Sequence, residues 1–322
     1  MSRGRVLLAP LVPLYAAGVA AKNFVYARGW VRPKRLRWPV VSVGNLSVGG
    51  AGKTPVVIRL AQLLREAGHS VDVFSRGYGR KSQGVTRVDP EGKASQFGDE
   101  PLLIARATGV PVYVGAERYA AGILAESSES GARVHLLDDG FQHRRLARDL
   151  DIVVLHASDF DQGLLPAGRL REPLSALDRA SIVILRAEDR DFELELRRRN
   201  IAVPVWIQHR RLVVERAGRA IAFCGIARPD EFFKALRGED IDCAATRAYR
   251  DHHDFSSADI DSLLQTRVDK NADCFITTEK DYVRLSAEQR ARLAPLNVAR
   301  LEVVFENETA IVAHLASLLV RK

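Results

Sequence analysis

The residues best suited to chemistry lie in one glycine-rich stretch, VGNLSVGGAGKTP, at positions 43–55. A glycine-rich turn between a strand and a helix can direct backbone N–H groups at a phosphate, because no Cβ intrudes. Lys53 can reach β- and γ-phosphates, and the Thr54 hydroxyl can bind Mg²⁺. A strict phosphate-loop pattern would have glycine where this chain has Ser47. The predicted nucleotide-binding residues are Ser47, Val48, Gly49, Gly50, Ala51, Gly52, Lys53 and Thr54.

Two consecutive acids, Asp138 and Asp139, follow the apolar run at 134–137. Acids at the end of a strand that neighbours a phosphate loop suit direct or water-mediated Mg²⁺ binding. Helix capping or a solvated turn is the alternative, and the pattern does not choose which acid contacts the metal directly. Together with the loop, the pair predicts hydrolysis or transfer of a phosphoryl group.

Such residues need a sheet whose strand ends lie together. Short apolar runs at 40–43, 71–74, 112–114, 134–137, 152–155 and 182–185 predict strands that are covered on both faces. Apolar residues at helical spacing, from 57 to 64, predict a helix directly after the loop. We therefore predict a P-loop-containing, doubly wound, mostly parallel α/β domain over residues 39–205.

The pattern changes after residue 205. Strand-like runs at 213–223 flank the turn signal Ala217-Gly218, and helical and strand patterns then alternate. We predict a smaller α/β domain over residues 206–305. Residues 306–322 are predicted to form a C-terminal helix that could return to the first domain.

The composition restricts partners without choosing one. The chain has 322 residues and a net charge of +8, which favours nucleic acid, an anionic membrane surface or a phosphorylated substrate. The three cysteines are far apart and match no zinc motif.

The N-terminal segment, residues 1–38, combines an apolar run at 6–21 with a basic cluster. The cluster comprises Arg28, Arg32, Lys34, Arg35 and Arg37. The run is shorter than the ~20 residues that a membrane-spanning helix needs. A helix at the membrane interface and a helix packed on the protein's own core both fit this pattern.

Several further motifs accompany the loop in a fixed order. They are RGYGR at 76–80, GDEP at 98–101, DDGFQHRRL at 138–146, GRLREP at 168–173, DHHDF at 251–255 and TTEKDYVRL at 277–285. With the loop, whose serine is typical there, they closely resemble the tetraacyldisaccharide 4′-kinase family of lipid A biosynthesis. The resemblance covers nearly the whole chain. It implies an ATP- and Mg²⁺-dependent kinase, bound peripherally to the cytoplasmic face of the bacterial inner membrane. Its acceptor would be the 4′-hydroxyl of tetraacyldisaccharide 1-phosphate, a glycolipid.

The resemblance also implies catalytic roles. Asp99 matches the general base that is proposed for the family, and His252 would orient or tune it, with His253 as the alternative. Arg171 would neutralise charge on the transferred phosphoryl group, and Lys53 would contact the nucleotide phosphates. The candidate Mg²⁺ contacts are Thr54, Asp138, Asp139 and Glu172.

Acceptor binding is the role that we predict for Arg76, Tyr78, Arg80 and His143. The loop at 76–80 follows a strand and should lie at the carboxyl edge of the sheet, where ligands bind. A solvated basic turn is the alternative there. The TTEKD stretch could line the nucleotide cleft, but its role is not assigned.

Two other functions compete with a kinase. A P-loop GTPase or nucleotide-driven switch needs an [NT]-K-x-D element, whereas Lys280 and Asp281 are adjacent in this chain. A membrane- or nucleic-acid-binding protein without activity would not use the loop together with the acids, and the basic stretches carry few aromatic residues. We predict no nucleic acid as a partner. The family resemblance and the basic N-terminal segment predict membrane lipid as a partner.

Overall fold

The structure is a computed structural model that describes residues 8–49, 52–215 and 218–320. The strands are β1 Val40–Gly44, β2 Ser70–Ser75, β3 Thr86–Arg87, β4 Val112–Val114, β5 Arg133–Asp138, β6 Leu150–Val154, β7 Ile182–Arg186, β8 Val205–Val213, β9 Ala220–Cys224, β10 Cys243–Ala248, β11 Cys274–Thr278 and β12 Leu296–Phe305. The α-helices are α1 Val12–Ala27, α2 Lys53–Glu66, α3 Ala94–Phe97, α4 Asp99–Thr108, α5 Arg118–Ser128, α6 Phe192–Arg198, α7 Pro229–Gly238, α8 Ser257–Asp269, α9 Glu279–Tyr282, α10 Ala287–Arg292 and α11 Glu308–Val320. Short 3₁₀ helices span Ala9–Leu11, Ala157–Asp161, Leu174–Arg179 and Ala187–Asp189.

The described strands form one sheet in the order β10-β9-β11-β12-β8-β7-β6-β1-β5-β2-β4-β3. From β8 to β4 every neighbouring pair is parallel, and only the short edge strand β3 is antiparallel to β4. Helices cover this section, which explains why its strands are continuous apolar runs. The predicted mostly parallel α/β fold, with a second, smaller α/β part, is confirmed.

The helix that follows the phosphate loop buries one apolar face against this sheet. Val57, Leu60 and Leu64 of α2 are fully buried. The C-terminal helix α11 packs against the same helix, burying Leu315 in the shared core. An ion pair of 2.6 Å joins Arg59 of α2 to Glu308 at the start of α11. The C-terminal helix α11 therefore stabilises α2, the helix that begins at the end of the phosphate loop.

The pairing of β8 with β12 reverses the direction of the sheet. β8 continues the first parallel section, and β12 lies antiparallel to it over Gln208–Val213 and Arg300–Phe305. The remaining strands, β9, β10 and β11, run parallel to β12 and to one another. β7 pairs with β8 only up to Gln208, and β11 pairs with β12 only up to Ala299, so the two parallel sections lie at opposite ends of the β8–β12 pair and their carboxyl ends face each other.

One strand prediction needs correction. Strand-like runs were expected at 213–223, but residues 205–213 form β8 and the next strand, β9, begins only at Ala220. The apolar pattern did not predict β8, because about half of the strand is polar. Its polar residues are the consecutive Gln208, His209, Arg210 and Arg211. Ala217 of the expected turn lies outside the described residues. The domain boundary at 205/206 stays a prediction, since β8 pairs with both sections.

The N-terminal helix α1 lies on the surface, and none of its residues is buried. It is joined to the first section by polar contacts. Tyr15 Oη donates to the Arg171 carbonyl at 2.9 Å, and Lys22 Nζ donates to the Gln142 carbonyl at 2.9 Å. The first residues of the predicted apolar run, up to position 7, lie outside the described part. Within the described residues, no helix has the length and apolar character needed to cross a bilayer.

Candidate active site between the facing strand ends

The phosphate loop leaves β1 and ends at the first residue of α2. Gly49 and Gly52 have φ of +94° and +76°, a left-handed conformation that residues with a Cβ rarely adopt. The Asn45 side chain donates to the Ser47 carbonyl at 2.7 Å and accepts from Lys53 Nζ at 3.0 Å. The loop is thus held from inside by a residue that the sequence did not single out. Gly50 and Ala51, also predicted to bind nucleotide, lie outside the described residues.

A second segment, GRLREP, runs beside the loop. The Val48 N–H donates to the Arg169 carbonyl at 2.8 Å, and the Arg171 N–H donates to the Leu46 carbonyl at 2.6 Å. The Arg169 guanidinium also donates to the Val48 carbonyl at 3.2 Å. This backbone pairing brings Arg171 next to the phosphate loop, although 124 positions separate Ser47 from it in the sequence.

The two acids after β5 differ in their surroundings. Asp139 lies 3.3 Å from Lys53 Nζ and 2.9 Å from Arg171 Nη1. Burial raises the pKa of Asp139, but these two cations outweigh burial and hold that pKa below its usual value. Asp138 is buried and, among the described residues, its carboxylate accepts one hydrogen bond, from Ser75 Oγ at 2.9 Å. Burial, followed by the negative charges of Glu100 and Asp139, raises the pKa of Asp138 to about 7.

The described contact of Glu172 is with an arginine rather than with the other proposed Mg²⁺ contacts. Glu172 is buried, and its Oε2 accepts from Arg179 Nη2 at 2.9 Å. Among the described residues, its hydrogen bonds include neither Asp138 nor Asp139, and no group of three or more His, Cys, Asp or Glu side chains is arranged to hold a metal ion. Thr54 is the second residue of α2. A metal role for these four residues stays a prediction.

Asp99 and His252 meet across the cleft between the two sheet sections. His252 Nδ1 lies 3.0 Å from Oδ2 of Asp99, which opens α4. The His252 backbone is left-handed, with φ of +58°, and its N–H donates to the Gly225 carbonyl at 3.1 Å. The ring also lies 5.4 Å from that of Tyr78. His253, the alternative partner, instead pairs with Asp259 at 3.0 Å.

Two cations of the TTEKDYVRL stretch reach the same carboxylate. Arg284 donates to Asp99 Oδ2 through Nε at 2.9 Å and through Nη2, and Lys280 Nζ lies 4.0 Å away. Burial raises the pKa of Asp99, but His252, Lys280 and Arg284 together hold it well below its usual range. Sequence reasoning left both cations unassigned. Lys280 lies in α9 and Arg284 in the turn just after it, so the available signal was only that one short motif carries both cations.

The residues predicted to bind the acceptor lie in different settings. Arg76 and Tyr78 are exposed at the carboxyl edge of β2. Arg80 instead donates to the backbone carbonyls of Val114 and Gly84, which holds its own loop. His143 is half-buried, and burial and then the charge of Arg118 lower its pKa to about 4.

Arg118 is a residue that sequence reasoning missed. It is buried at the start of α5, donates to the Ala116 carbonyl at 2.8 Å, and has no hydrogen-bond partner for Nε among the described residues. It is close enough to Arg76, Asp138 and Asp139 for their charges to shift its own pKa. Its position shortly after the predicted strand at 112–114 was the available indication of a role in the site. Arg118 belongs to none of the motifs described above.

Comparison with known proteins supports an assignment for this arrangement. The family model described as "Tetraacyldisaccharide-1-P 4'-kinase" matches residues 4–320. This chain belongs to that family. A Koribacter versatilis tetraacyldisaccharide 4′-kinase is 45% identical over 97% of this chain and 99% of its own length. One from Geobacter metallireducens is 40% identical over 87% of this chain and 88% of its own.

A solved structure of the family has the same fold. It is the "apo" form of LpxK from Aquifex aeolicus in complex with ATP, with a TM-score of 0.79 and 31% identity. The match covers 98% of this chain and 99% of that one. The shared fold includes both sheet sections, so this family member carries the whole kinase architecture.

The contrast between the two acids gives a test by pH. The pKa of Asp138 is about 7 in the folded protein, against ~3.9 in an unfolded chain. Between these values the folded state binds the additional proton, so stability should fall as pH rises from about 4 to about 7. Asp138→Asn removes this titration. Without Mg²⁺ or nucleotide, it should stabilise the protein at pH 8 by about 1–3 kcal/mol and do less at pH 5.

Asp139→Asn is the matched control. The folded-state pKa of Asp139 is lowered, so its ionised form stabilises the fold at neutral pH, and that contribution is lost as pH falls through the lowered pKa. The amide should therefore destabilise the protein at pH 8. Thermal or urea unfolding of both variants at the two pH values measures this. Equal effects of Asp138→Asn at pH 5 and pH 8 would contradict the burial argument.

Proposed function

We propose that the chain transfers the γ-phosphate of ATP to the 4′-hydroxyl of tetraacyldisaccharide 1-phosphate, forming lipid IVA in lipid A biosynthesis. The observation that supports it most is the meeting of two halves in one cleft. One half is a phosphate loop with Lys53 beside Asp139, and the other is the Asp99–His252 pair. The charge of Glu100, the neighbour of Asp99, acts on Asp138, so the halves are electrostatically in contact.

Binding of the nucleotide phosphates follows from the loop. Gly49 and Gly52 adopt the left-handed conformation that the loop needs, with the guanidinium groups of Arg169 and Arg210 beside them. The start of α2 directs the positive end of the helix dipole at the same place. Lys53 would exchange part of its contact with Asp139 for phosphate oxygens. Arg171, 2.9 Å from Asp139, would stabilise charge on the phosphoryl group in transfer.

The acids fit a hard divalent cation. Asp138 Oδ1 is buried and has no hydrogen-bond partner among the described residues, so it has an unused acceptor. Carboxylate and hydroxyl oxygens are ligands that Mg²⁺ prefers. Asp138, Asp139 and Thr54 would hold the ion, with Glu172 the least supported of the four. When bound, Mg²⁺ would neutralise phosphate charge.

The acceptor hydroxyl would be held by Asp99. The new bond joins the 4′-oxygen to the γ-phosphorus, the bond to the ADP oxygen breaks, and the hydroxyl proton passes to the Asp99 carboxylate. A carboxylate with a lowered pKa is a weak base, but it is ionised at every working pH and always able to accept the hydrogen bond. His252 would stabilise that ionised form and orient it. Tyr78, Arg76 and His143 would contact the sugars, while Arg80 supports its loop.

Access to a lipid acceptor would come from α1. Its exposed apolar side chains, together with those just before and after it, are Leu8, Leu11, Leu14, Phe24, Trp30 and Val31. The same helix touches the carbonyls of Arg171 and Gln142, so it lies beside the site. An exposed apolar helix followed by cations suits an anionic bilayer surface. We propose peripheral binding to the cytoplasmic face of the inner membrane.

The GTPase alternative receives less support. Lys280, which a guanine-reading element would use, instead contacts Glu100 at 3.3 Å. A carboxylate–histidine pair such as Asp99–His252, suited to taking the proton of an acceptor, has no use in a nucleotide switch.

The direct test is phosphate transfer in detergent micelles. Purified protein with ATP should phosphorylate tetraacyldisaccharide 1-phosphate at the 4′ position, with GTP a poorer donor. Lys53→Ala should lower kcat about 10²–10³-fold, since a preorganised cation at the phosphates is lost. Lys234→Ala, an exposed lysine on α7, serves as the control. Hydrolysis of GTP without acceptor phosphorylation would refute the kinase assignment.

If Asp99 and His252 act as a catalytic dyad, the losses of kcat caused by substituting each of them should be coupled. Asp99→Ala should reduce kcat by about 10²–10⁴-fold with little change in ATP affinity, because it removes the group that receives the proton. His252→Ala should reduce kcat by the same amount or less. The double variant should lose less than the product of the two single losses, because the residues act as a unit. Single-turnover rates of all four proteins measure this, and strictly multiplicative losses would argue against a dyad.

The membrane proposal is tested on two equally exposed positions. Leu14 on α1 and Val268 on α8 are each 74% exposed. Leu14→Glu should weaken partition to vesicles of phosphatidylglycerol and phosphatidylcholine about 10–100-fold. The substitution removes a leucine side chain that would insert into the bilayer, and it adds a negative charge. Val268→Glu should leave partition unchanged. Sedimentation with vesicles measures it, and equal partition of both variants would exclude α1 as the contact.

A further inference from the structure

The TTEKDYVRL stretch is ordered around its own aspartate. Thr278 ends β11, and its hydroxyl accepts from the Asp281 N–H at 3.1 Å, which caps the short helix α9. The Asp281 carboxylate in turn accepts the Gly225 N–H at 3.0 Å with both oxygens. Asp281 therefore joins the end of β11 to the turn that follows β9. This turn also holds the backbone of His252.

Asp281 and the Gly225 carbonyl hold the guanidinium group of Arg284 in place. Its Nη1 donates to the Gly225 carbonyl at 2.9 Å and to Asp281 Oδ1 at 3.0 Å. Only 7% of its side chain is exposed. With one nitrogen bound to its own part of the fold, the guanidinium presents the other two, Nε and Nη2, in a set direction. That direction is toward Asp99.

The two nitrogens meet one oxygen of Asp99. Nε and Nη2 of Arg284 both donate to Oδ2, which also faces His252 Nδ1 at 3.0 Å. Oδ1 accepts the Glu100 N–H at 3.0 Å. Each oxygen thus has donors on a known side, and the plane of the carboxylate is determined. Charge-assisted hydrogen bonds from a planar guanidinium are well suited to this task.

We propose that Arg284 is a positioning residue of the reaction: it orients the Asp99 carboxylate for the acceptor hydroxyl and for His252. The proposal rests on the proposed function, in which Asp99 receives the hydroxyl proton. It gives the TTEKDYVRL stretch a role in the proton step rather than in nucleotide binding. Arg284 touches neither the phosphate loop nor the acids after β5 through the contacts described above.

A purely structural ion pair explains this geometry less well. Burying an Arg–Asp pair adds little net stability, because removing both charges from water offsets their attraction. Here the pair lies at the one carboxylate that also contacts a histidine in a left-handed conformation. Strained and buried polar groups that converge on one atom are typical of functional sites.

The charges that face Asp99 define the expected pH effect. They are His252, Lys280 and Arg284 from the second section, with Glu100 on its own helix and Asp251 3.7 Å from Lys280 Nζ. Removing Arg284 takes away a cation that favours the ionised carboxylate. The pKa of Asp99 should then rise, since burial continues to raise it while His252 and Lys280 still lower it. The ionised, competent form would be lost first on the acid side.

The experiment compares Arg284→Gln, Arg284→Lys and Arg292→Ala in the full chain. Arg292 is an exposed arginine of the same section that forms an ion pair with Asp261. Arg284→Gln should lower kcat about 10–100-fold with KM for ATP within about twofold, because orientation is lost in the transition state only. The acid limb of its kcat–pH profile should lie at higher pH than in the unsubstituted protein, where Asp99 stays ionised at working pH. Arg284→Lys should restore the position of that limb but not the full kcat, since lysine lacks the fork. Arg292→Ala should match the unsubstituted protein.

The outcomes separate this inference from the proposed function. A normal kcat and pH profile for Arg284→Gln, beside an inactive Asp99→Ala, would overturn the role of Arg284 alone. A uniform loss with an unshifted acid limb would also overturn it, as a structural defect. Full activity of Asp99→Ala would instead refute Asp99 as the proton acceptor. If Arg284→Gln fails to fold, Arg284→Lys decides: a normal kcat with the charge kept excludes a need for the guanidinium.

Discussion

The site depends on the antiparallel pairing of β8 with β12. All strands from β8 to β4 run one way and those from β12 to β10 run the other. The two sections pair with opposite ends of the β8–β12 pair, so their carboxyl edges face each other. In parallel sheets the polar side chains that follow the strands collect at the carboxyl edge. Two such edges brought face to face give one cleft with groups on both walls. A single parallel sheet would have offered only one wall.

The strand β8 also lies close to the phosphate loop. Arg210 on β8 lies against Gly52, and a Cβ at that glycine would overlap the guanidinium. Burial lowers the pKa of Arg210 to about 10, and the neighbouring Arg186 adds to that effect. Glycine is thus required there for two reasons, the left-handed backbone and the close approach of a side chain. The loop therefore packs directly against β8, the strand that pairs with both sections.

Charge is distributed unequally along the cleft. Asp139 has two cations and Asp99 has a histidine and an arginine, whereas Asp138 is buried with one hydroxyl donor. The charge of Lys53 acts on Asp138, but burial and the neighbouring acids outweigh it and raise the pKa of Asp138. A cation that arrives with a nucleotide would lower that pKa. The cleft therefore separates the groups suited to phosphate from those suited to a proton.

Sequence patterns were most informative where a physical requirement is local. Strands such as β1 and β5 are covered on both faces, so they are apolar runs that could be recognised without the structure. The phosphate loop needs glycine, lysine and a helix start within a few positions. β8 is different, because half of its length is polar and its partner β12 lies far along the chain. Asp99 and His252 were assigned through a family resemblance, and Arg284 received no role at all.

The sequence by itself determined the parallel α/β section, the phosphate loop, the acids after β5 and, through its motifs, the family. These are encoded by neighbouring residues, since hydrophobic period and backbone conformation act over a few positions. Only the tertiary structure decided which charges meet. Arg284 and Asp99 are 185 positions apart, and their contact depends on how β8 and β12 reverse the sheet. A pattern of residue types carries no record of such a distance, because any buried cation could in principle face any buried acid.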